Sequence, residues 1–289
     1  MRIKELLNKK KVSVSYEIFP PKQRAQLGNL MTIVRDLSEL DPAFVSVTYG
    51  AMGGTSEFTL SIADEIQNGC GLTALAHLTC VAATREMVTD TVSKLKTLGI
   101  DNVLALRGDI PEDVDFPLPN QYKYASELIK HIKTLGNFCI GGACYPEGHP
   151  EAATVSADID NLKKKVDAGC DFLTTQMFFD NNILYRFMYR IMSAGIHVPV
   201  VAGIMPVTNG KQIKRIVAIS GNLLPSKFVS IVDRFGDDPG SMEQAGIAYA
   251  TEQIIDLIAN GVNNIHIYTM NKPQTAQRIH DNISSVIGH

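Results

Sequence analysis

The sequence carries no excess of positive charge: 27 Lys and Arg stand against 30 Asp and Glu, a net charge of −3. Such a chain presents no basic field for nucleic acid or an anionic membrane. The run Lys9-Lys10-Lys11 is too short to alter this and reads as a solvated helix end. Nothing approaches a transmembrane span, and the N-terminal MRIKELLNKKK lacks the apolar segment of a secretory signal. A cytoplasmic location is expected. The five cysteines, Cys70, Cys80, Cys139, Cys144 and Cys170, are odd in number and show no C-x-x-C spacing. They read as buried free thiols in a reducing compartment, not as disulfides or a metal site. The seven histidines are scattered without ligand spacing, so no metal is assigned. No G-x-G-x-x-G occurs. In Gly203–Lys211 (GIMPVTNGK) the glycines stand two residues too far apart for a phosphate-binding Walker loop, and Gln212 replaces the required Ser or Thr.

What remains is an ordinary globular balance, 45% hydrophobic and 20% charged over 289 residues, with a regular alternation of elements. The stretch Val12–Pro21 alternates with period 2: Val12, Val14, Tyr16 and Ile18 fall on one face, Ser13, Ser15, Glu17 and Phe19 on the other. Pro20-Pro21 stops it. Further strands are expected at Ala43–Tyr49, Leu72–Thr79, Asn102–Leu106, Phe138–Tyr145, Asp171–Met177, Val198–Ile204 and Asn264–Thr269. Helix-period stretches lie between them. Thr84 caps one that stops at Gly99. Ser156 or Asp158 opens another ending near Gly169, and Asn181–Ala194 ends at Gly195. The long seventh gap holds Lys211–Ile219, Pro225–Arg234 and Met242–Asn260, with Pro225 read as a first-turn residue. Eight βα units predict an α/β (β/α)8 TIM barrel spanning 1–289 as one domain. A doubly wound open sheet is the alternative; it would show a Gly-rich turn after the first strand, where Phe19-Pro20-Pro21-Lys22 stands instead.

Barrel sites lie at the C-terminal ends of the strands. Those ends offer Glu17, then Thr48 and Tyr49, then His77 and Thr79, Arg107-Gly108-Asp109, Tyr145 to His149, Gln176, and His266 with Tyr268, followed by Asn271 and Lys272. Glu17 alone reads as a solvated carboxylate or a partner of Lys22. Convergence of so many polar strand ends points to a ligand site.

The motifs SYEIFPPK, VSVTYGAMGG, AHLTC, LALRGD, YPEGHPEA, TTQMFFD, GIMP and IYTMNK occur in this order, and together they resemble the 5,10-methylenetetrahydrofolate reductases over nearly the whole chain. The resemblance implies a cytoplasmic flavoprotein barrel of one-carbon metabolism and methionine biosynthesis. It looks like the short bacterial form, without the regulatory domain of the eukaryotic enzyme, and a homo-oligomer is expected. NADH would reduce non-covalent FAD and leave; the flavin would then reduce methylenetetrahydrofolate to methyltetrahydrofolate, once a proton at N10 has opened the ring. Glu17 matches the family's general acid, and an apolar setting beside Phe19 and Pro20 is expected to raise its pKa. Asp109, Gln176, Gln212 and Lys272 match folate contacts, Lys272 where an arginine is usual. The implied flavin contacts are Thr48, Tyr49, Ala51, His77, Arg107, Gly108, Asp109, Tyr124, Ala125, Tyr145, His149, Ala152, Asp158, Asn161, Lys164 and Lys165. Lys164 keeps the charge of the arginine common there but not its fork. Read without the resemblance, Lys163–Lys165 is a solvated basic face and His77 a core histidine. Ile216 stands where some relatives stack an aromatic on NADH, so electrons from a partner subunit are the alternative to direct NADH use. A pterin-binding group-transfer barrel without flavin is a third reading, disfavoured by LRGD and YPEGHP.

Overall fold

A computed structural model describes residues 1–9, 11–21, 23–49, 56–81, 83–110, 115–211, 213, 216 and 223–288. The strands are β1 (Ser13–Ile18), β2 (Val45–Val47), β3 (Ala74–Thr79), β4 (Asn102–Leu106), β5 (Cys139–Cys144), β6 (Phe172–Thr175), β7 (Val200–Ile204) and β8 (Asn264–Tyr268). All pair in parallel with their sequence neighbours, and β8 closes on β1, so the sheet is a barrel and the open-sheet alternative falls. The helices are α1 (Ile3–Leu7), α2 (Leu27–Ser38), α3 (Ser56–Asp64), α4 (Arg85–Thr97), α5 (Ala125–Leu135), α6 (Val155–Asp167), α7 (Asn181–Ser193), α8 (Ser226–Phe235), α9 (Pro239–Ala259) and α10 (Pro273–Ile287).

Period 2 decides what each strand residue meets. Val14, Tyr16 and Ile18 of β1 point outward into the layer under the helices, where they join Val34, Leu37, Ile279 and Ile283. Ser15 and Glu17 fall on the opposite, inward face. The floor of the barrel is a smaller cluster of Phe44, Leu75, Leu104, Cys139, Phe172 and Val201, closed from below by Ile3 and Leu7 of α1. Asn102 fixes that short helix: its Oδ1 accepts from the Ile3 N–H at 2.9 Å, and its Nδ2 donates to the Met1 carbonyl at 3.1 Å.

Helix signals in the sequence hold in part. Thr84 Oγ1 accepts from the Met87 N–H, and Gly99, Gly169 and Gly195 end their helices at φ of 70°, 110° and 72°. The cap of α6 is Thr154, not Ser156 or Asp158: Thr154 has the extended backbone that a cap requires and accepts from the Ala157 N–H. Pro225 precedes α8 as its cap position rather than lying in the first turn. The expected helix Lys211–Ile219 lies largely outside the described residues; Gly210, Lys211, Ile213 and Ile216 are helical. Four of the five cysteines are buried free thiols, while Cys70 is half-buried.

Asp171 ties three elements together at the lower rim. Its Oδ1 accepts from Lys4 Nζ at 3.0 Å, and its Oδ2 from Lys133 Nζ at 2.7 Å and the Ile140 N–H at 2.9 Å. Burial alone would raise this carboxyl's pKa, but the bonds from Lys133, Ile140 and Lys4 outweigh it and hold it below the usual carboxylate range. A depressed folded pKa gives stability that is present above the unfolded value, about 3.9, and lost as pH falls through the folded one. Asp171→Asn is expected to cost roughly 1–3 kcal/mol at pH 7. Thermal unfolding should show that deficit shrinking below about pH 4; an equal deficit at pH 3 and pH 7 would contradict the linkage.

Candidate active site

The upper half of the barrel interior is polar because the inward positions of β1, β2, β3 and β8 carry Ser15, Glu17, Ser46, His77, His266 and Tyr268. Register brings them level: Glu17 pairs with Ser46 on one side and Tyr268 on the other, and Ser15 pairs with His266. Glu17 Oε2 lies 3.6 Å from His77 Nε2 and 3.6 Å from His266 Nε2, with Ser46 Oγ at 3.4 Å. The His266 ring is stacked on Phe44 at 5.7 Å and meets the edge of Tyr268 at 5.4 Å. Tyr268 reaches across to donate to the Thr175 carbonyl at 2.6 Å. Only glycine at position 203 permits this, since a Cβ there would sit 2.5 Å from the Tyr268 hydroxyl.

The expectation that apolar neighbours raise the pKa of Glu17 is corrected here. Burial does push it up, but the hydrogen bond with His266, the charges of His77 and His266, and Ser46 bring it below its ordinary value. The neighbours that count lie across strands, not along the chain at Phe19 and Pro20. Burial drives His77 down to about 4, so it is neutral at pH 7. Its Nε2 is buried without a hydrogen-bond partner among the described residues. Tyr268 is raised well above its ordinary value by burial and the Glu17 charge, and stays neutral.

The rim beside Glu17 is held by the segment that follows β8. Thr269 Oγ1 donates to the Glu17 carbonyl at 2.7 Å, and the Asn271 amide brackets Phe19, accepting from its N–H at 3.0 Å and donating to its carbonyl at 2.9 Å. Met270 and Asn271 both take the left-handed conformation, at φ of 53° and 56°. Two such residues in succession store strain that the bracket holds. Lys272 follows and donates to Thr208 Oγ1 at 3.0 Å.

A second group gathers over β4, β5 and β6. Arg107 forms a bidentate pair with Glu151, both contacts 2.6 Å. His149 receives the Glu151 N–H on Nδ1 at 3.1 Å, gives its own N–H to Asp158 Oδ2 at 3.2 Å, and meets the Tyr145 ring at 4.6 Å. Its carbonyl accepts from Ala152. Burial and then the Asp109 charge raise Tyr145, which places Asp109 within electrostatic reach. Gly108 between them has φ 84°. Lys165 turns inward to the Ala143 carbonyl at 2.6 Å, so it is not part of a solvated basic face; Lys164 stays outside and donates to Asn161 Oδ1 at 2.9 Å. Beyond His149 opens a cavity of about 610 Å³ whose lining includes Gly148, Thr154, Arg186 and Arg190.

Other expected residues sit apart from these groups or make only local bonds. Thr48 and Tyr49 follow β2 half-buried, the Thr48 N–H bonded to the Ile18 carbonyl at 3.0 Å. Tyr124 is 52% exposed under Lys123, and Ala125 is buried at the start of α5. Gln176 Oε1 accepts from the Met177 N–H at 3.0 Å. Ile216 packs against the cluster of Phe179, Val207, Ile213 and Phe228. Ala51 and Gln212 lie outside the described residues. Sequence reasoning missed Ser15, Ser46 and Glu151 as site residues and left His266, Tyr268 and Asn271 without a role. Period 2 from Glu17 and from His266 was the available signal for Ser15 and Tyr268.

The chain is similar to known proteins over nearly its whole length. The family model described as methylenetetrahydrofolate reductase matches residues 2–284. A 5,10-methylenetetrahydrofolate reductase from Pectobacterium carotovorum subsp. carotovorum is 37% identical over 93% of this chain and 89% of its own length. A protein from Arabidopsis thaliana named methylenetetrahydrofolate reductase (NADH) 1 is 33% identical over 95% of this chain, which spans 49% of that relative. A solved structure of an uncharacterized protein from Clostridium thermocellum, described as binding two copies of 5-methyl-5,6,7,8-tetrahydrofolic acid, shares the fold with a TM-score of 0.68 at 12% identity, over 99% of both chains.

Proposed function

The chain belongs to the methylenetetrahydrofolate reductase family, and from that premise we propose an FAD-dependent reduction of 5,10-methylenetetrahydrofolate to 5-methyltetrahydrofolate, with NADH as donor and the two substrates using one site in turn. The observation that carries the reading is Glu17, a carboxyl at a strand end whose side chain keeps 19% exposure while two histidines stand 3.6 Å from it. A carboxyl so placed is screened from bulk water on its inner side and still meets a ligand at the mouth, where it can pass on a proton. Its task is protonation of N10, which opens the bridging ring of the folate.

The residues present fit FAD. His77 offers a buried Nε2 that has no hydrogen-bond partner among the described residues. Arg107, Lys164 and Lys165 supply cations for a diphosphate, and the carboxylate that Arg107 pairs with among the described residues is Glu151, itself 60% exposed and readily exchanged. Thr48, Tyr49, Ala51, Gly108, Tyr124, Ala125, Tyr145, His149, Ala152, Asp158 and Asn161 complete the proposed set. When bound, FAD supplies the two-electron carrier that no side chain provides. Asp109, Gln176, Gln212 and Lys272 are assigned to the folate. Asp109 accepts from pterin N–H groups, Gln176 both donates and accepts, and the Lys272 ammonium attracts a carboxylate.

The purified protein is expected to be yellow, to release FAD on denaturation, and to bleach when mixed anaerobically with NADH. FMN, or no flavin in a well-folded sample, defeats the cofactor assignment. Bleaching by dithionite but not by NADH transfers the donor role to a partner protein.

A further inference from the structure

Just past the end of β1 the chain is held by a side chain where the sheet no longer holds it. The strand leaves its ladder after Ile18, and Pro20 and Pro21 bring no N–H groups. Among the described residues both polar backbone groups of Phe19 go to one amide. Its N–H donates to Asn271 Oδ1 at 3.0 Å, and its carbonyl accepts from Asn271 Nδ2 at 2.9 Å. A backbone N–H can only donate and a carbonyl can only accept, so these partners fix which way the amide faces. Two residues earlier, the Glu17 carbonyl accepts from the Thr269 hydroxyl at 2.7 Å, and Thr269 Oγ1 in turn accepts from the Asn271 N–H at 3.2 Å. The turn that presents the amide is closed by the Lys272 N–H on the Thr269 carbonyl at 3.0 Å. Its central residues are Met270 and Asn271, at φ of 53° and 56°. Turns with two positive φ values favour glycine, asparagine and aspartate; methionine in one is strained. Strain kept beside a reacting carboxyl points to a task for the turn.

We propose that Asn271 is a positioning residue for the folate step: through Phe19 it fixes the β1 rim, and so the place at which the Glu17 carboxyl meets its substrate. Oδ1 and Nδ2 both face Phe19, so Asn271 acts through the main chain of β1 and not on the reacting atoms. Glu17 stands between two supports. Ser46, His77 and His266 surround its carboxyl from within the barrel, while Thr269 and Asn271 hold its main chain and the residues after it from β8. Removing the amide leaves the inner support intact and frees the outer one. A displacement of about 1 Å in a positioned group costs on the order of 10²-fold in rate. Lys272, the next residue, has an anchor of its own on Thr208 at 3.0 Å, so its place does not depend on the amide.

The inference rests on the proposed role of Glu17, and its test separates the two. Asn271→Gly removes the amide and leaves a residue that takes φ 56° without strain, so the turn itself is not damaged. In amide hydrogen exchange of the flavin-loaded protein without folate, the Phe19 N–H is expected to exchange about tenfold faster in the variant, the worth of one such bond. In stopped-flow reoxidation of the dithionite-reduced variant, the rate at saturating methylenetetrahydrofolate should fall roughly 10–100-fold. The folate concentration giving half the maximal rate should stay near wild type, and reoxidation by a quinone should be unchanged. In a Glu17→Gln background the same substitution should add no further loss, as expected when one residue acts through the other. A wild-type folate rate in Asn271→Gly, the full loss repeated on top of Glu17→Gln, or Phe19 exchange left unchanged each overturns the proposal. Should Asn271→Gly fail to fold, Asn271→Asp keeps the left-handed turn and the acceptor for the Phe19 N–H but loses the donor to its carbonyl; a smaller loss of the same kind supports the proposal, and a wild-type rate overturns it. If Phe19 exchange responds but Glu17→Gln reduces folate normally, the bracket stands, while the folate role of Glu17 and the task proposed for Asn271 fall together.

Discussion

Glu17→Gln is expected to abolish folate reduction while sparing the other half of the cycle. Glutamine fills the same space against Ser46, His77 and His266 but cannot donate a proton as an acid. Losing a positioned general acid costs roughly 10²–10⁴ in rate, or about 3–5 kcal/mol of barrier. Hydride transfer from nicotinamide draws no proton from Glu17 and should stay within about tenfold of wild type, a margin of roughly 1.4 kcal/mol. The variant should remain yellow, bleach with NADH, reduce an artificial quinone acceptor and fail with methylenetetrahydrofolate. Stopped-flow reoxidation of the dithionite-reduced variant by the folate at near wild-type rate would return Glu17 to the status of an ordinary strand-end carboxylate.

Gly246→Ala should be the most disruptive added methyl among the described glycines. A Cβ at this position of α9 would stand 1.9 Å from the Val207 carbonyl oxygen and 2.7 Å from its carbon, both backbone atoms that no rotamer change can clear. Alanine's better helix propensity returns at most about 1 kcal/mol, against an overpacking cost of typically 1–3 kcal/mol and occasionally more. Because the displaced segment leads into Thr208, the partner of Lys272, the damage should extend to the site. The expected result is a net loss of roughly 1–3 kcal/mol in denaturant unfolding and a raised KM for folate. Gly240→Ala in the same helix has nothing within 4 Å of its Cβ and is the control, expected to be neutral or slightly stabilising. Equal stability of the two variants would show that α9 and the loop after β7 slide apart freely.

The barrel was legible because short strand-like runs alternate with helix-period stretches from end to end, and eight such repetitions leave few ways to close. Asn102–Leu106 agrees with its strand residue for residue; the others are trimmed at one end or both, β3 and β7 only at the end away from the mouth. The site was legible residue by residue, not as a constellation. Period 2 places Ser15 beside Glu17 within one strand, but no local pattern says that His77 and His266 meet the same carboxylate oxygen. That depends on barrel closure and on the registers of β2, β3 and β8. Reading Glu17 from Phe19 and Pro20 gave the wrong sign for its pKa, because sequence neighbours on a strand point to other places. The cap of α6 failed for a related reason: Thr154, Ser156 and Asp158 have similar chemistry, and only the path of the preceding loop selects which has extended backbone.

The helix α1 beneath the barrel has a consequence for synthesis on the ribosome. Its contacts run to Asn102, Cys139 and Asp171, at sequence separations of 99, 135 and 167 residues. The apolar side chains that α1 buries, Ile3 and Leu7, therefore wait for the floor they close, on the order of ten seconds at ordinary elongation rates. β1 waits longer still, since its partner β8 is the last strand made. Through that interval the nascent chain has an unsealed lower end and an unpaired first edge, which is where a holding chaperone would find its grip. The charged residues around α1, Arg2, Lys4, Glu5, Lys9 and Lys11, keep this early segment in water until β6 arrives.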